Sequence, residues 1–151
     1  MTINKMFKNI ALSLLGLVFI FTACNNHKKQ QEELQQEVIT IHDSVMADMG
    51  MLMEKKMYLN KIMNRLDSLK SVNMNLDTAQ VKDELTQTIE QLGAADEAMM
   101  TWMRNFDPEY PGKSHEEIMA YLNNQKVKIN SVDSVIKNII LKSDSTIAKY
   151  K

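Results

Sequence analysis

His42 and Met46 stand four residues apart, as do Met49 and Met53. Four residues is about one helical turn, so each pair can face a single point from one helix. Thioether sulfur with imidazole nitrogen suits a soft ion, Cu(I) above all. Met99 and Met103 flank Trp102, whose π face can cover a cation, and His115 and Met119 repeat the four-residue spacing further on. The same side chains have a plainer use, because methionine fills irregular core gaps and meets aromatic rings through sulfur. Recognition is a third use: Met51 and Met57 lie off the main apolar seam, where flexible thioethers suit an adaptable partner-binding groove.

Other chemistry is poorly supplied. There is no HExxH, and neither His42 nor His115 has a Glu three residues before it, which removes the di-iron bundle motif. Asp96-Glu97 and Glu116-Glu117 are adjacent pairs, and adjacent side chains diverge around a helix instead of facing a shared substrate. Ser131 and Ser134 have no nearby base in sequence, and no glycine-rich phosphate loop occurs. The expectation is a protein without catalysis. Arg65 and Arg104 are the only arginines, so no basic patch for nucleic acid is expected either.

These residues must be positioned by helices. Pro108 and Pro111 sit in one short segment, and Gly50, Gly93 and Gly112 are the only glycines after Gly16. Apolar positions recur at Leu34, Val38, Ile41, Val45, Met49, Leu52, Leu59, Met63 and Leu66, the spacing of an amphipathic helix running to about Leu69. Gly50 weakens that helix and offers a bend or a close approach.

Asp77 followed by Gln80 reads as an N-cap, with Leu76 and Val81 as its hydrophobic staple. A second helix follows through Val81, Leu85, Ile89, Leu92, Ala95, Met99, either Trp102 or Met103, and Phe106, and ends before the prolines. Ser114 with Glu117 forms a capping box for a third, whose apolar seam fades after Lys142. The pattern predicts an all-α, elongated, antiparallel three-helix bundle, up-down-up. Tight turns near residues 74 and 110 would set position 50 level with about 98 and 122. That register gathers the methionines, His42, Trp102 and His115 into one layer.

The N-terminus carries an address. Lys5 and Lys8 precede the apolar run from Ile10 to Phe21, interrupted by Ser13 and Gly16 and followed by Thr22-Ala23-Cys24. The run is shorter than the roughly 20 residues a membrane span needs. Positive start, apolar stretch and small residue before a lone Cys resemble the lipobox signal of bacterial lipoproteins. That resemblance implies removal of residues 1–23 and lipid on Cys24; composition then reads as a polar tether over 24–37, with Leu34 its one large apolar residue, before a helical domain over 38–151. Asn25 after the Cys implies the outer membrane, with the domain facing the periplasm. Processing would leave 128 residues with 16 basic and 19 acidic side chains, and no cysteine free for a disulfide.

His42-Asp43-Ser44-Val45-Met46 and Ala98-Met99-Met100-Thr101-Trp102-Met103 resemble stretches of small Met-rich helical lipoproteins of Bacteroidota, which imply no established activity. Leu85-Thr86-Gln87-Thr88-Ile89 resembles the Leu-Thr-x-x-Gln signature of periplasmic stress chaperones, with Ile89 in the place of Gln. The leading expectation is a lipid-anchored helical protein with an interaction or envelope-structural role. Its partners would be the membrane, through Cys24, and another protein. Cu(I) handling and chaperoning are the alternatives, and no cofactor is expected outside the Cu(I) reading.

Overall fold

A computed structural model describes the backbone of residues 3–150 and the side chains of residues 26–150. The chain folds as helix upon helix: α1 (Ile3–Met63), α2 (Leu66–Val72), α3 (Thr78–Asn105) and α4 (His115–Tyr150), with no strand among the described residues. Four helices thus replace the three expected. The first run breaks at Asn64-Arg65, where Arg65 leaves helical geometry at φ −113° and its N–H reaches back only three residues, to Ile62. Gly50 does not break α1. Residues 26–37 are helical too, and Leu34 is buried, so packing reaches back into the stretch read as tether.

The caps form where local chemistry places them. Asp77 Oδ1 accepts from the N–H groups of Ala79 and Gln80 at 3.0 and 3.2 Å. Its staple partners, Leu76 and Val81, both join the core. At α4, the Ser114 N–H donates to Glu117 Oε2 at 2.8 Å, and the Glu117 N–H donates back to Ser114 Oγ at 3.3 Å. Each such cap contributes about 1 kcal/mol by satisfying donors that helix ends leave open.

One seam on each of α1, α3 and α4 builds the core. In α3 it is Val81, Leu85, Thr88, Leu92, Ala95, Met99 and Trp102, alternating steps of four and three. That alternation keeps the stripe facing its neighbours along the helix. The position expected of Ile89 belongs to Thr88, whose hydroxyl donates to the Glu84 carbonyl at 2.8 Å. In α4 the seam does not stop at Lys142: Ser143 and Thr146 continue it, donating to the carbonyls of Ile139 and Lys142. A buried hydroxyl so satisfied avoids the desolvation penalty that an unbonded one would carry. Small polar residues therefore hold seam positions that an apolar-only reading passes over.

Cross-helix pairs fix the register. Lys126 meets Glu37 at 2.5 Å and Lys55 meets Asp144 at 2.6 Å, both 89 residues apart, so α1 and α4 run the same way. Gln91 receives Lys142 at 2.8 Å, and Glu84 receives Lys149 one heptad away, so α3 runs opposite to α4. Carried along, these pairs set position 50 level with about 94 and 139, not 98 and 122. The larger error is about 17 residues, roughly 25 Å at 1.5 Å per residue.

The source of that error is the connection between α3 and α4. Pro108 and Pro111 drive the residues before them into extended geometry, so the segment is not a tight turn. Phe106 is already extended, at φ −81° and ψ 118°. Asn105 lies level with about residue 128, and the connection climbs back beside α4 before Gly112, at φ 75°, turns the chain into it. A positive φ of this kind is one glycine adopts without strain. Phe106 and Tyr110 then pack with Leu34, Ile118 and Leu122 in a second cluster, and the Asp107 N–H donates to the Tyr121 hydroxyl at 2.8 Å.

The C-terminal end is clasped by Glu84, which accepts from Lys149 and, at 2.7 Å, from the Tyr150 hydroxyl. These bonds, Lys149 first, hold the Glu84 carboxyl below its usual range, while the bond to Glu84 and burial push Tyr150 up to about 12. A raised phenol pKa means stability that is intact below the ordinary value near 10 and is lost as pH rises through the folded value. Urea titrations across pH 9 to 12 should therefore show a steeper alkaline fall for the natural chain than for Tyr150→Phe. At neutral pH the variant should lose about 1 kcal/mol. Parallel alkaline limbs for the two chains would contradict this clasp.

Candidate functional site

The residues with metal-binding chemistry fall in two places. The first runs along α1 and α3 from Trp102, which is 6% exposed and stacks on Phe106 with ring centroids 4.9 Å apart. His42 tilts against Trp102 at 5.8 Å, and His42 Nδ1 lies 2.9 Å from Asp43 Oδ1. Met99 is wholly buried in the core cluster, and Met49 and Met103 pack against that cluster. Met46 and Met53 do not turn inward: they are 41% and 46% exposed.

The second place lies at the start of α4. The His115 ring stacks on His27 with centroids 4.0 Å apart and planes within 7°, and its Nδ1 is 3.1 Å from Gln31 Nε2. Met119 packs on the second cluster, beside Ile118 and Leu122. Through the α1–α4 pairs, Met119 is level with about residue 30 of α1. Met49 is 19 residues further, close to 30 Å away at the helical rise. The single layer of His42, Met46, Met49, Met53, Met99, Met103, His115 and Met119 is therefore divided, and His115 and Met119 belong elsewhere.

Nor do Met51 and Met57 form one groove. Six residues turn a helix through 600°, which leaves the two side chains about 120° apart. Both are exposed, on different sides of α1. Missing from the sequence reading was the contact of His27 and Gln31 with His115. Residues 27 and 31 share the four-residue spacing, but the composition of the segment reads as a solvated polar tether.

Among the described residues, no three His, Cys, Asp or Glu side chains converge as a metal site. The described helices contain no stretch long and apolar enough to cross a membrane. A groove of about 630 Å³ between α1 and α4 is lined by Glu33, Gln36, Glu37, Thr40, Ile41 and Lys126, with no histidine or methionine in its wall. Trp102 Nε1 is buried without a hydrogen-bond partner, although His42 borders its ring. The Cys24 side chain lies outside the described residues. No protein family, curated protein or solved structure matches this chain.

Proposed function

We propose that this chain is a bacterial lipoprotein: Cys24 carries lipid, and the helices form an interaction domain held at the outer membrane on the periplasmic side. Within this reading α1, α3 and α4 make an up-down-up bundle, with α2 as a short continuation of the first arm. The observation that carries it is the apolar run ending at Ala23-Cys24, joined without interruption to a packed helical body. Metabolic labelling with a radiolabelled fatty acid tests the anchor. Label on the natural chain, with the precursor shortened by residues 1–23, is the expected result, and an unlabelled chain would refute it. Partner capture from solubilised envelopes tests the interaction role.

One observation favours a second reading, soft-metal binding. With Nδ1 of His42 engaged by Asp43, Nε2 is left as the donor, an arrangement common where imidazole binds metal. Trp102 and Met103 lie level with His42, and Met49 stands seven residues further along α1, roughly 10 Å away at the helical rise. Ag(I), a redox-stable stand-in for Cu(I), should then raise the unfolding midpoint by mass action and alter Trp102 fluorescence. His42→Ala should abolish both changes. A melt unmoved by Ag(I) assigns these methionines to the core.

A further inference from the structure

Met46, Gly50, Met53 and Met57 follow one another along α1 in steps of four, three and four. That is the spacing of a coiled-coil seam, and the four fall within about 60° around the helix. It is a second seam, turned away from the one that builds the core. Met46, Met53 and Met57 remain 41%, 46% and 59% exposed, and Met100 of α3, level with about residue 44, adds a side chain 41% exposed.

Gly50 serves no packing within the chain, since a Cβ there would meet nothing within 4 Å. Gly93, at almost the same level on α3, would bring a Cβ only to 3.7 Å from the tip of Lys56. Both lie inside helices, where glycine weakens the structure relative to alanine. Room is being kept on the outer side of this face.

We propose that the face binds a second copy of the chain, α1 against α1 and antiparallel, about a two-fold axis between residues 50 and 53. The inference gives the interaction domain proposed above its partner and rests on that reading. In this arrangement Met53 of each copy enters the space over Gly50 of the other, and Met46 meets Met57, so large side chains face a gap and the patch complements itself. Asp43 comes level with Asn60 and, one residue on and on the same flank, beside Lys61 at both ends. Antiparallel seams bring equivalent flanks together, which makes this charge match favourable. The parallel alternative leaves Gly50 facing Gly50 across a void, sets Met53 against Met53 and places Lys56 beside Lys61 of the other copy, a like-charge contact.

The test uses the full chain in detergent micelles, with Cys24→Ser so that an introduced thiol stands alone. Sedimentation should give a dimer, and Gly50→Gln should raise its dissociation constant at least 100-fold while raising the unfolding midpoint of the monomer. Under mild oxidation, Met46→Cys and Met57→Cys chains should cross-link when mixed and not separately. A monomer, or cross-links of Met46→Cys chains to each other, would overturn the proposal. A monomeric natural chain that still takes lipid label and still captures another envelope protein would defeat the second copy as partner and leave the interaction reading standing. A dimer without lipid label would do the reverse.

Discussion

Leu92→Ala should remove about 3–5 kcal/mol of unfolding free energy, read from urea titrations followed by circular dichroism and Trp102 fluorescence. Leu92 is fully buried in α3, and the cross-helix pairs set it level with Leu52 of α1 and about residue 141 of α4, where the inward-facing side chain is that of Ile140. Truncation loses the transfer energy of three carbons and leaves a hollow that three rigid helices cannot close together. A domain of this size has roughly 5–15 kcal/mol in all, so the loss is a large share. Leu141→Ala supplies the control. It is a neighbour of that layer but 65% exposed, and its change should stay within about 0.5 kcal/mol. Equal effects of the two substitutions would mean that the seam is misplaced.

Cys24→Ala should abolish acyl labelling entirely and leave a precursor that retains residues 1–23, seen directly by intact mass. The size of the anchoring effect follows from chain chemistry. Each buried CH₂ contributes about 0.8 kcal/mol, and a single 14-carbon chain gives only reversible binding near 10⁴ M⁻¹. Two or more chains on one residue multiply such constants, which turns a passing contact into permanent residence. The processed natural chain should therefore stay with the membrane through washes at high salt, whereas a domain starting at residue 25 should wash away. Retention of that truncated domain would place the membrane contact somewhere other than Cys24.

The features readable in advance were those decided within a few residues. Asp77 with Leu76 and Val81, and Ser114 with Glu117, need only their neighbours, and both caps stand where their spacing puts them. The all-helical character follows from the seams and the scarcity of breakers. Register is different in kind, because it is set by residues far apart in sequence.

Glu37 with Lys126 and Lys55 with Asp144 agree on one offset. Sliding α4 by a heptad one way would oppose Glu37 to Asp133 and Asp48 to Asp144, and the other way Lys55 to Lys137. The charges thus reject the neighbouring alignments as well as favouring the one adopted. Nothing in the apolar spacing alone distinguishes those three alignments. The layer of metal-binding residues depended on that alignment and divided once the proline-bearing connection proved extended. Thr88, Ser143 and Thr146 escaped for another reason: a hydroxyl bonded to its own helix can occupy a seam, and residue type does not announce it.

α1 passes residue 24 without a break. A lipid on Cys24, as proposed, would be fixed to the end of a stiff lever, not to a string. In an antiparallel pair the two levers point away from each other, and the two residues 24 stand roughly 80 Å apart at the helical rise. With both anchors in the one outer membrane, the proposed pair would have to lie stretched flat along that bilayer.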